Sequence, residues 1–66
     1  MQIIVNGESR DSADAATVAT VIEALGLSGQ RCAVELNGDI VPRSSWGERR
    51  LVADDRLEVV RAIGGG

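Results

Sequence analysis

Apolar and polar residues alternate from Met1 to Asn6, which places Met1, Ile3 and Val5 on one side of an extended segment. Asn6-Gly7 then supplies a two-residue hairpin turn, because both residue types tolerate the positive φ that such a turn demands. A short second strand is predicted over residues 8–11. After a polar, alanine-rich stretch the period changes. Val18, Val21, Ile22 and Leu25 fall at i, i+3, i+4 and i+7, one face of a helix. Thr17 stands where a side-chain oxygen caps a first turn, and Gly26 stands where helices commonly end. Strand alternation returns over 31–36, with Cys32, Val34 and Leu36 sharing a face, and Asn37-Gly38 marks a second hairpin into Asp39-Ile40-Val41. Pro42 cannot donate to a ladder, so that strand is short or ends there. Residues 43–50 read as an irregular crossover carrying Trp46, Leu51-Val52 as a brief further pairing, and Asp54-Asp55 as the turn into a last strand with Leu57 and Val59 inward.

One helix that must cover one face of a mostly antiparallel sheet defines an α+β domain, here a mixed sheet of four to five strands. Two N-terminal strands, a helix and a long return to a final strand match the β-grasp (ubiquitin-like) topology. The sheet face away from the helix should be polar, yet Ile4, Ala33, Val60 and Ala62 fall on it among Gln2, Glu35 and Glu58. Two readings stand side by side. A contiguous apolar patch on a small domain marks a docking surface; apolar residues exposed singly carry no message.

Composition narrows the chemistry. A chain of 66 residues makes one domain that buries only about 60% of its unfolded surface, and a core of that size rarely nets more than ~3–5 kcal/mol. Burying unpaired catalytic charge is costly on that scale. His, Lys, Tyr and Phe are all absent, which removes the usual general base and the Schiff-base amine. Cys32 is the only cysteine, so an internal disulfide and multi-cysteine metal sites are excluded; it reads as a small core hydrophobe. The domain is therefore expected to have no catalytic residues, no metal and no bound cofactor of its own. A net charge of −3 with scattered arginines and one aromatic residue disfavours nucleic acid. No apolar run reaches the ~20 residues that span a bilayer, no leader pattern precedes the first strand, and the lone thiol fits a reducing compartment. The expected setting is cytoplasmic. Trp46 reads as a cap on the crossover's own apolar cluster, and Arg43 as a solvated surface residue.

The last strand runs into Ile63-Gly64-Gly65-Gly66. Glycine lacks a Cβ, so such a thread enters channels that reject side chains. Terminal glycines also occur as linkers. Three segments together are more specific: Val41-Pro42-Arg43-Ser44-Ser45-Trp46, Asp54-Asp55-Arg56-Leu57-Glu58-Val59-Val60, and the closing Gly65-Gly66. With the β-grasp pattern around them, the chain resembles, over essentially its whole length, the ThiS family of sulfur carriers in thiamine biosynthesis. Gly64 is a small departure, since a larger residue is common there.

The resemblance implies a last strand lying parallel beside the first, and a body (residues 1–63) bearing a glycine tail (64–66). It implies that the Gly66 carboxylate is adenylated with ATP by a ThiF-like enzyme, is converted to a thiocarboxylate by a cysteine-desulfurase-derived persulfide, and delivers sulfur to a ThiG-like thiazole synthase. Gly64 and Gly65 would be spacers that thread the tail, and Ile4, Ala33, Val60 and Ala62 the docking patch. Two alternatives stay open: a carrier for molybdopterin synthesis or tRNA thiolation, and a non-covalent β-grasp interaction module.

Overall fold

The computed structural model describes residues 1–61. Strands β1 (Gln2–Val5) and β2 (Glu8–Asp11) precede helix α1 (Val18–Ala24), and β3 (Cys32–Leu36), β4 (Asp39–Ile40) and β5 (Arg56–Arg61) follow it. They form one mixed sheet in the order β2-β1-β5-β3-β4. Only β1 and β5 pair in parallel. This is the β-grasp order, with the final strand at the centre of the sheet beside the first.

Both hairpins turn on Asn-Gly as expected. Asn6 and Gly7 sit at φ 50° and 84°, Asn37 and Gly38 at 52° and 90°, the double positive φ of a tight hairpin turn that matches strand twist. The helix starts at Thr17, whose backbone is extended and whose hydroxyl accepts from the Thr20 N–H at 3.2 Å; the Thr20 hydroxyl accepts from the Thr17 N–H in return. At the far end the Gly26 N–H donates to the Glu23 carbonyl and the Leu27 N–H to that of Ile22, a reciprocal closure that satisfies two otherwise orphaned carbonyls. Val18, Val21 and Ile22 are buried, whereas Leu25 is the capping residue and only half-buried.

The core lies between α1 and one face of the sheet. Ile3, Val18, Val34, Leu36 and Leu57 are its most deeply buried large side chains, each worth on the order of 1.5–3 kcal/mol relative to exposure. Two expectations need correction. Trp46 does not cap a separate cluster: it belongs to the main core, and its indole N–H donates to the Val41 carbonyl at 2.9 Å. The brief pairing falls one residue earlier than Leu51-Val52, and on the helix cap rather than the sheet: Arg50 bridges Thr17, while Leu51 donates to the Ala16 carbonyl and buries its side chain. Cys32, read as a small core hydrophobe, packs half-buried against the edge of the core. No helix among the described residues is long and apolar enough to cross a membrane.

Candidate functional site

The site is built on β5, because that strand carries the chain toward its glycines. On one flank β5 pairs with β3 along its whole length, from Leu57 opposite Leu36 to Arg61 opposite Cys32. On the other flank, β1 reaches only Arg56 and Leu57. Past that point the Asn6 side chain takes over from the backbone. Its Oδ1 accepts from the Val59 N–H at 2.8 Å and its Nδ2 donates to the Val59 carbonyl at 3.3 Å. Asn37 does the equivalent at the start of the strand: its Oδ1 accepts from the Arg56 N–H and its Nδ2 donates to Asp55 Oδ1, both at 3.0 Å. Asp55, nearly buried, also accepts from the Val52 N–H at 2.8 Å. Two turn asparagines thus grip the central strand from opposite sides, and supply partners to backbone groups at Arg56 and Val59. Whatever follows Arg61 starts from a fixed point.

Ala62, Gly64, Gly65 and Gly66, and the boundary expected between residues 63 and 64, lie outside the described residues.

The sheet face away from the helix separates the other expected docking residues. Ala33 stands directly opposite Val60, and Val60 is 63% exposed. Ile4 does not join them. The parallel register sets it opposite Arg56, four residues upstream of Val60, and antiparallel to Ser9, where it is half-buried. Alternation alone gives the face of a residue, whereas adjacency needs the register. Ile40 was not foreseen as part of this face. It is 75% exposed and stands opposite Glu35. Its position between Asp39 and Val41 carried the parity, but Pro42 drew attention to where the strand stops. Glu35 is also opposite Glu58, a like-charge pair that costs the sheet stability. The open face therefore presents Val60, Ala33 and Ile40 around two carboxylates.

Charge is sparsely paired. The Met1 ammonium donates to the Ser12 carbonyl at 2.7 Å and to Asp14 Oδ1 at 3.2 Å, with Asp11 at 3.6 Å. The Asp14 hydrogen bond is the main cause that raises its pKa above the ordinary 8.0. Among the described residues no arginine pairs with a carboxylate. Arg43, expected to be simply solvated, lies 5.0 Å over the Trp46 ring and donates to the Gln30 carbonyl.

A β-grasp body whose central strand leads into Gly-Gly-Gly defines the class of small ubiquitin-like proteins. The family model described as "ThiS family" matches residues 3–66, and the chain belongs to the ThiS family of sulfur carriers. It is 30% identical to the sulfur carrier protein ThiS of Escherichia coli, across all of both chains. The crystal structure of the thiamine biosynthesis protein ThiS from Geobacter metallireducens superposes with a TM-score of 0.82 at 29% identity, again covering both chains fully. A thiazole synthase of Paramagnetospirillum magneticum contains a segment 39% identical to all 66 residues, and the present chain spans only 20% of that protein. A second thiazole synthase, from Magnetococcus marinus, is matched in the same proportion.

Proposed function

We propose that the Gly66 carboxylate is the working group of this carrier and that its destination is a thiazole synthase. A carboxylate oxygen attacks the α-phosphorus of ATP on a ThiF-like enzyme, and the bond to pyrophosphate breaks, leaving an acyl-adenylate. The terminal sulfur of a cysteine-derived persulfide then attacks the acyl carbon and AMP leaves. A thiol cleaves the resulting S–S bond, releasing the thiocarboxylate and leaving the donor sulfur in a disulfide. Splitting one hard substitution in this way replaces a poor electrophile by a good one. The observation that carries this reading is the full-length match to a sulfur carrier in a chain whose glycines follow the most firmly held strand of the sheet.

Physical features support the parts. From Arg61, five residues reach at most roughly 18 Å when extended, and three of the five are glycine. A rigid root followed by a thin thread suits insertion into a channel, since less chain remains to be ordered on binding. The open face around Val60, Ala33 and Ile40 suits docking against the enzyme that receives the thread, with Ala62 as a further expected contact and Ile4 at its margin. The thiazole synthases that contain a ThiS-like segment favour that enzyme as the acceptor over a molybdopterin or tRNA-thiolating one. Sites on a single chain are held at high effective concentration, as a donor–acceptor pair requires.

The test is ATP–pyrophosphate exchange with a ThiF-like enzyme. Exchange should require the carrier and vanish when Gly66 is deleted, while the stability of the body changes by less than about 0.5 kcal/mol, as for surface changes away from packing. Undiminished exchange by the deletion variant would contradict the proposal.

A further inference from the structure

Three of the seven arginines gather where β5 ends. Arg61 closes the strand, and its partner across the sheet is Cys32, so Arg31 lies at the same end. Arg43 is tethered there as well, because its guanidinium donates to the Gln30 carbonyl while it rests on the Trp46 ring. All three arginines are exposed, and among the described residues none has a carboxylate partner. The aspartates occupy the other end, where Arg10 opposite Ile3 and Arg56 opposite Ile4 also stand. Asp54 and Asp55 precede β5, Asp39 stands opposite Leu36 whose other neighbour is Leu57, Asp11 stands opposite Gln2, and Asp14 binds the Met1 ammonium. Glu8, next to Val5 on the far side of β1, and Glu23, in the last turn of α1, are acidic exceptions toward the arginine end. The chain as a whole carries −3, yet three exposed arginines cluster at the end from which it leaves the sheet.

A carrier of net negative charge, led by a carboxylate, meets repulsion from a bound triphosphate. We propose that Arg31, Arg43 and Arg61 form a basic collar that steers the domain tail-first onto an anionic entrance, namely the nucleotide-loaded mouth of the adenylating enzyme. This rests on the activation step proposed above. The collar sits at the root of the tail, several residues from the reacting carbon, so it touches neither ATP nor the acyl group. Its effect is on encounter and orientation, which complementary fields change by ten- to a thousandfold in rate. Arg43 is held by stacking and a hydrogen bond, Arg61 is placed by its register opposite Cys32, and Arg31 directly precedes that cysteine, so the three positions lie together before contact.

The experiment compares kcat/KM for pyrophosphate exchange, over a range of ionic strength, for wild type, R31E/R61E and R49E/R50E. Each double variant lowers the net charge by four, from −3 to −7, so only position differs. Arg49 and Arg50 lie beside the helix cap, where they contact Val18 and Thr17 through the backbone. That is the opposite end of α1 from Leu25, which lines a hollow with Val5 and Asn6 near where β1 ends. Wild-type kcat/KM should fall as salt rises. R31E/R61E should lose about tenfold or more at low salt with kcat unchanged, and the gap should close at high salt. R49E/R50E should stay within about twofold of wild type. Equal losses in the two variants, or no loss in R31E/R61E, would overturn the collar while leaving the activation step intact. Absence of exchange by the wild-type carrier would overturn the activation step itself, and the collar with it.

Discussion

Asp55 shows how one side chain closes several accounts at once. Its carboxylate holds the Val52 N–H and, through Asn37, the turn that ends β3. A hydrogen bond to a charged group contributes about 1.5–3 kcal/mol at most where it is shielded from water, and Asp55→Ala removes two part-buried ones. Urea unfolding should therefore show a lower midpoint for Asp55→Ala at an unchanged m value, with Asp55→Asn recovering part of the loss by retaining one acceptor oxygen. A wild-type midpoint for the alanine variant would mean that the clasp contributes nothing. Asn6 belongs to the same logic. It adopts positive φ, which asparagine tolerates better than most residues, and its amide continues the β1 ladder where the backbone has turned away.

At the scale of elements, the sheet separates a face that folds the protein from a face that is free to be used. The first was legible in the sequence almost residue by residue. Alternation in β1, β3 and β5 named Ile3, Val5, Val34, Leu36, Leu57 and Val59, and all six are buried. The helix face and both Asn-Gly turns were equally plain, because each rests on local geometry. Long-range facts were not legible. The register that parts Ile4 from Val60, the carboxylates of Glu35 and Glu58 meeting across strands, and Trp46 turning into the core from an irregular segment all depend on how distant segments meet. The chemistry of the site was read from motif and tail, since the proposed reacting group is backbone and leaves no side-chain signature. On the open face, Val60→Asp should weaken binding to the activating enzyme at least tenfold, the scale of losing one well-packed interface contact, while thermal unfolding of the isolated carrier shifts by no more than a few degrees. Unchanged affinity in a pull-down or titration would remove this face from the interface.

On the function proposed above, the whole molecule combines a small body with a reactive end supplied by the main chain. A 66-residue domain has little stability to spend on an internal active site, and this one has a central strand gripped from both flanks, with an open face and an arginine cluster proposed above to meet the partner. On this account the catalytic groups belong to other proteins and the carrier contributes geometry and one carboxyl carbon. The most direct measurement is the intact mass of the carrier after incubation with ATP, a ThiF-like enzyme and a persulfide donor, followed by fragmentation. The account predicts a gain equal to one sulfur less one oxygen, located on Gly66 and absent without ATP. A mass that stays unchanged under conditions where the enzyme activates another ThiS, or sulfur located on Cys32 instead, would contradict it.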